Sequence, residues 1–177
     1  YVGVLTRFQE EIQEVKKEVR FLGIVSGVEP MRTQFEKKLR NVFSKLPGNH
    51  VLILGKPKQK NTNQESLAYQ VYPHLSTPDF KEMVQKSEYV ITRSGYSTVM
   101  DMSVLGAKCV FVPTPGQTEQ EYLGETLEHL GHVVISDLLF NSYTLKQSLE
   151  KAKKLEINFS ENASLLKEAV HHILKEV

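Results

Sequence analysis

The chain has 177 residues, 40% of them hydrophobic and 24% charged, with 10 Gly and 7 Pro. That length buries roughly 70% of the surface exposed by the unfolded chain, enough for one domain without staples. The composition excludes collagen-like and wholly disordered classes. Lys and Arg number 22 against 21 Asp and Glu, a formal charge of +1, which leaves no electrostatic footprint for a nucleic-acid polymer or an anionic membrane.

Short apolar runs alternate with helix-period segments along the chain. Strands are predicted at Arg20 to Val25, His50 to Gly55, Ala68 to Tyr72, Tyr89 to Thr92, Lys108 to Pro113 and His132 to Ile135. Several are apolar on both faces, as strands between two helix layers must be. Helices are predicted at Pro30 to Leu46, Pro78 to Lys86, Ser97 to Gly106 and Thr118 to Leu130, with two more closing the chain at Thr144 to Leu155 and Glu161 to Glu176. Strand and helix in alternation imply a parallel sheet with right-handed crossovers. The fold class is therefore α/β, a Rossmann-like parallel sheet of about six strands with helices on both faces, and residues 1–177 read as a single domain.

The boundaries carry their own signals. Thr77 precedes Pro78 as a capping hydroxyl, and Thr118-x-x-Glu121 has capping-box spacing. Gly106 and Gly131 suit left-handed stops. Lys56 to Ser66 is the one strongly polar segment; its lysines suit either a phosphate or, more simply, a solvated loop. Cys109 is the single cysteine, which rules out an internal disulfide, and within Cys109-Val110-Phe111-Val112 it reads as a buried thiol. No apolar run approaches the ~18 residues of a membrane span, and no secretion signal is visible, so a cytoplasmic setting is expected. The chain opens on Tyr1 rather than Met, which suggests a piece of something longer.

Ligands of open parallel sheets bind outside the carboxyl ends of the strands. Three such ends have unusual loops here: Ser26-Gly27-Val28-Glu29-Pro30, Arg93-Ser94-Gly95-Tyr96-Ser97-Thr98, and Pro113 to Glu121. A glycine turn opening a helix presents unpaired amides and a positive dipole end, which suits a phosphate. Two of them in one sheet suit a diphosphate, although glycine also serves simply to reverse a chain tightly. Neither loop has Walker or G-x-G-x-x-G spacing. His171-His172 lacks a second ligand pair, so no metal site is expected.

Arg93-Ser94-Gly95-Tyr96-Ser97-Thr98-Val99-Met100-Asp101, then Leu105-Gly106, then Val112-Pro113, then Gln117-x-x-Gln120-Glu121-Tyr122 resembles the C-terminal, donor-binding half of a GT-B glycosyltransferase. The similarity is to the group containing the peptidoglycan UDP-N-acetylglucosamine transferase (glycosyltransferase family 28 C-terminal-like). It runs from about Arg20 to Leu130 and is most specific between Arg93 and Tyr122.

The resemblance implies a role for each position. Ser26 and Gly27 match the family's first glycine loop, facing the nucleotide phosphates, although relatives are more glycine-rich there. His74 and Leu75 fall where relatives hold uracil through backbone groups. Arg93, Ser94, Gly95, Tyr96, Ser97 and Thr98 match the phosphate-binding turn, with Tyr96 in place of a small residue and Arg93 as stabiliser of the leaving group. Asp101 matches an acid that receives both ribose hydroxyls, where the family usually has Glu. Gln117 belongs to the same pattern, and Gln120 and Glu121 match a Gln-Gln pair on the sugar hydroxyls, the second of them altered.

The implied chemistry is transfer from a UDP-sugar, UDP-N-acetylglucosamine among the candidates, to an acceptor hydroxyl. It would proceed with inversion and with no cofactor or essential metal. The general base would come from an N-terminal acceptor-binding domain of the same protein, with a lipid-linked acceptor at the inner face of the membrane. This chain alone would then bind donor and transfer nothing. Simpler alternatives stay open: Arg93 as an exposed charge, Asp101 as a solvated helix residue, Glu121 as the capping partner of Thr118. Two other functions also remain, a non-catalytic nucleotide-sugar-binding subunit acting with a separate membrane-bound partner, and a UDP-sugar epimerase.

Overall fold

The structure is a computed structural model that describes residues 6–8, 15–59, 64–65 and 68–155. In chain order it runs β1 (Val19–Ile24), α1 (Met31–Phe43), β2 (His50–Ile53), β3 (Gln64–Glu65), β4 (Gln70–Tyr72), α2 (Thr77–Gln85), β5 (Ser87–Thr92), α3 (Tyr96–Val104), β6 (Cys109–Phe111), α4 (Thr118–His129), β7 (Val133–Val134) and α5 (Ser142–Ser148), followed by a 3₁₀ turn at Leu149–Lys151. The sheet order is β3-β4-β2-β1-β5-β6-β7. Every neighbouring pair is parallel except β3 with β4.

Setting β3 aside, the chain winds outward from β1 through β2 to β4, then returns to the other side of β1 and winds outward again. This is a doubly wound sheet whose order reverses between β1 and β5, the position where such folds open a crevice. All six predicted parallel strands are present.

The strands are apolar on both faces because each face has its own core. On β1, Leu22 and Ile24 join Phe80, Val84, Val99 and Met102 from α2 and α3. Phe21 and Val25 point the other way, to Phe35, Leu39, Val42 and Phe43 of α1. The same period-2 split separates Val51 and Ile53 from Leu52, and Val90 from Ile91. Gly23 lets α1 settle onto the sheet. A Cβ there would lie 2.8 Å from Leu52 Cδ1 and 3.1 Å from Phe43 Cζ, closer than packed carbons tolerate.

Cys109 is buried, and burial pushes its thiol well above the ordinary range. Gly106 and Gly131 both take positive φ and close their helices as anticipated. Two caps differ from expectation. The hydroxyl that caps α2 is Ser76, accepting from the Asp79 amide, while Thr77 and Pro78 are the first two helical residues. The cap of α4 is Gln117, whose side chain accepts from no main-chain amide of the helix, and Glu121 instead accepts from the Gly116 amide at 2.9 Å.

Of the predicted segment Thr144 to Leu155, α5 and the 3₁₀ turn cover 142–151, begun by an Asn141 capping box with Thr144. The predicted helix Glu161 to Glu176 and the pair His171-His172 lie outside the described residues. Within the polar loop, β3 pairs with β4, and Lys56 is engaged by Glu36 at 2.8 Å. Among the described residues no helix is long and apolar enough to cross a membrane.

His50 supplies a pH dependence. Its ring is fully buried between Phe21 and Phe43, with centroids at 5.2 and 5.1 Å. Its Nε2 donates to the Leu46 carbonyl at 3.1 Å, and Nδ1 has no partner. Burial, with the Arg20 charge behind it, holds the imidazole below the usual histidine value; His132 is lowered too, by burial and then Lys153. As pH falls through about 6.5 the unfolded chain therefore gains protons that the folded chain refuses. Stability is complete above that pH and falls below it, by up to about 1.4 kcal/mol per pH unit per group. Urea denaturation at pH 7.5 and 5.5 should show this loss, and His50→Gln should flatten it; equal slopes in both proteins would count against His50.

Candidate ligand site at the strand crossover

The crevice is set by the loops after β1 and β5. A cavity of about 440 Å³ opens there, lined by Ile24 at the end of β1 and Ser26 in the loop after it, Ser97, Thr98, Asp101 and Met102 from α3, and Arg7 and Phe80. Ser26, Ser97, Thr98 and Asp101, separated by as many as 75 positions in the chain, are thus brought to one place. Gly27 (φ +99°) and Gly95 border open space, with nothing within 4 Å of where a Cβ would stand.

The two helix starts differ. At α1, the Glu29 carboxylate accepts from the Thr33 amide at 3.1 Å and from Arg32 at 2.6 Å. The Thr33 side chain first, Arg32 next and the Thr33 amide after them lower its carboxyl to about 2, so this helix start already carries an anion of its own. At α3, Gly95 caps without a side chain, and the Tyr96 amide meets the Glu119 carboxylate only at a long 3.5 Å. The second helix start is therefore the more open of the two.

Asp101 stands one turn into α3, its side chain 15% exposed. Its Oδ1 accepts from the Thr6 hydroxyl at 2.8 Å, and its Oδ2 lies 3.4 Å from Arg7 Nε. Asp101 is thus no freely solvated helix residue. The Arg7 guanidinium also lies 5.0 and 4.9 Å from the ring centres of Phe8 and Phe80, which stack on each other at 6.0 Å. These N-terminal residues were not expected at the site. They carry no motif, and nothing in the local sequence pairs Phe8 with Phe80 across the chain.

Other predicted residues lie elsewhere. Arg93 is neither an exposed charge nor part of the cavity lining. It is 2% exposed, and its Nη1 donates to the carbonyls of Val112 (2.9 Å) and Pro113 (3.0 Å) and to Asp137 Oδ1 (2.9 Å). Its guanidinium also covers the Phe35 ring at 4.0 Å. Ser94 is buried, donating its hydroxyl to the Gln120 carbonyl at 2.8 Å. The Gln120 side chain accepts from the Thr114 amide at 3.0 Å and donates to Gln117, so both glutamines hold the loop after β6 together.

Glu121 lines a separate cavity of about 560 Å³ with Pro113, Gly124 and Asp137. The structure therefore does not bring Gln117, Gln120 or Glu121 into the cavity that Asp101 lines. Tyr96 is 48% exposed. Leu75 is half-buried against the core that holds Phe80 and Met102, and His74 beside it keeps a buried Nδ1 with no partner.

Comparison with known proteins places this geometry. The model described as the glycosyltransferase family 28 C-terminal domain matches residues 25–177. A UDP-N-acetylglucosamine--N-acetylmuramyl-(pentapeptide) pyrophosphoryl-undecaprenol N-acetylglucosamine transferase of Buchnera aphidicola is 32% identical over 76 residues, 41% of this chain and 22% of that protein. The crystal structure of Acinetobacter baumannii MurG is similar with a TM-score of 0.68 at 16% identity, over 97% of this chain and 55% of that one. The glycosyltransferase of kitacinnamycin gives 0.61 at 16% identity, over 98% of this chain and 44% of that one. At such identities these two likenesses establish the fold. The chain spans 22% of the curated relative and about half of the solved ones.

Proposed function

This chain belongs to the glycosyltransferase family 28 C-terminal domain family, and from that premise we infer that it is the donor-binding half of a two-domain glycosyltransferase that uses a UDP-sugar. One observation carries the reading: the crossover cavity gathers Ser26, Ser97, Thr98 and Asp101, the matched phosphate and ribose positions, against an open helix start. Each residue type suits its part. A carboxylate accepts from both hydroxyls of a ribose. The first-turn amides of α3 and the Ser97 and Thr98 hydroxyls donate to phosphate oxygens, and Arg7 adds a positive group at the cavity wall.

In the proposed transfer an acceptor hydroxyl oxygen bonds to the anomeric carbon as the bond from that carbon to the diphosphate oxygen breaks. The electron pair of the broken bond leaves with UDP. Donors fixed before the reaction stabilise that growing charge best, and the α3 amides are such donors. The hydroxyl proton passes to a base that we place in a preceding acceptor-binding domain. Inversion at the anomeric carbon, independence of a metal, and a lipid-linked acceptor at the membrane surface belong to the same reading. So does UDP-N-acetylglucosamine as donor, for which the altered Glu121 is the departure to test.

Calorimetric titration with UDP, UDP-N-acetylglucosamine, UDP-glucose, ADP and GDP tests it. Uridine-selective binding is expected, with the two UDP-sugars ranked by the loop that holds Gln120 and Glu121. Equal affinity for all five, or none, would overturn the donor-domain assignment.

A further inference from the structure

We propose that Thr6 is a positioning residue for ribose recognition: it aims the Asp101 carboxylate at the sugar hydroxyls of the nucleotide. The proposal rests on the assignment of Asp101 to the ribose. It concerns a residue ahead of position 25, where the family match begins.

The geometry fixes the direction of the hydrogen bond. Thr6 Oγ1 lies 2.8 Å from Asp101 Oδ1 and 3.2 Å from the Phe8 amide nitrogen. The amide can only donate, so Thr6 Oγ1 accepts there, and its own proton is left for Asp101. Phe8 cannot drift, being buried and stacked on Phe80 at 6.0 Å. The hydroxyl is thus held from one side and holds the carboxylate from the other.

An aspartate one turn into a helix otherwise chooses among staggered rotamers, and with one methylene fewer than a glutamate it has less freedom to recover a misaimed carboxylate. A carboxylate has about four acceptor sites. Thr6 engages Oδ1 and Arg7 lies at Oδ2, which leaves room for the two hydroxyls of a ribose.

The test measures Kd for UDP and 2′-deoxy-UDP with the protein and with Thr6→Val, Thr6→Ser and Asp101→Ala. Thr6→Val keeps the shape and removes the hydroxyl. It should weaken UDP about three- to tenfold, weaken 2′-deoxy-UDP less, and so narrow the preference for the ribonucleotide. Thr6→Ser should restore that preference. Equal weakening of both nucleotides would mean packing alone and would overturn the proposal. Unchanged binding would overturn it as well, and so would tighter binding, which would make the segment an obstruction. Asp101→Ala reports on the premise separately: if the preference for UDP survives it, the ribose assignment itself is wrong, whatever Thr6 does.

Discussion

Arg93→Met is expected to lower the free energy of unfolding by about 3–5 kcal/mol, the cost of breaking a buried ion pair from one side. Met fills much of the same volume but strands the Val112 and Pro113 carbonyls and withdraws one of the two cations on Asp137. The other is Lys38, whose ammonium bonds to the Asp137 carboxylate and main-chain carbonyl. Asp137→Ala should be the more damaging change. It leaves a guanidinium that burial disfavours, pushing its pKa down, without the carboxylate that offsets the burial. The two changes together should cost less than their sum, because they share one interaction. Urea denaturation of the three variants measures this. A loss below about 1 kcal/mol for Arg93→Met would return Arg93 to the candidates for ligand binding.

Asp101→Ala is expected to weaken UDP by about 2–3 kcal/mol, roughly 30- to 150-fold, since two hydrogen bonds to a charged acceptor disappear together. The fold should hardly notice. Arg7 is half exposed and its pairing with Asp101 contributes little, and the Phe8 and Phe80 stack does not depend on the carboxylate. Asp101→Asn keeps one acceptor oxygen and should fall between. Calorimetry on the nucleotide and thermal denaturation on the apo chain separate the two effects. Strong loss of stability with Asp101→Ala would show that the acid is structural.

The strands and four of the helices were legible in the sequence because each strand faces two cores, so its residues are apolar without a break. Short caps were less legible: Ser76 and Thr77 are both hydroxyl residues beside a proline, and only the backbone decides which of them accepts from Asp79. At the site, Ser26, Ser97 and Thr98 could be marked because they follow a strand or open a helix, whereas Asp101 stood out only through its place in the family pattern. Arg93 could not be judged that way. It directly follows β5 and covers Phe35 of α1, and its partner Asp137 lies 44 positions on, in a loop without pattern. Thr6 and Arg7 were illegible for the same reason, since their contact with Asp101 spans 95 positions for Thr6 and closes only in three dimensions.

The Glu119 carboxylate stands beside the open α3 start, 3.5 Å from the Tyr96 amide, without closing on it. A phosphate bound there, as proposed, would share the helix start with this carboxylate, so the two negative groups would repel each other at close range. Glu119 adjoins Gln120, whose carbonyl receives the Ser94 hydroxyl and whose amide fastens the loop after β6. Glu119 and the loop after β6 are thus joined through the first turn of α4, and what touches the one is structurally continuous with the other.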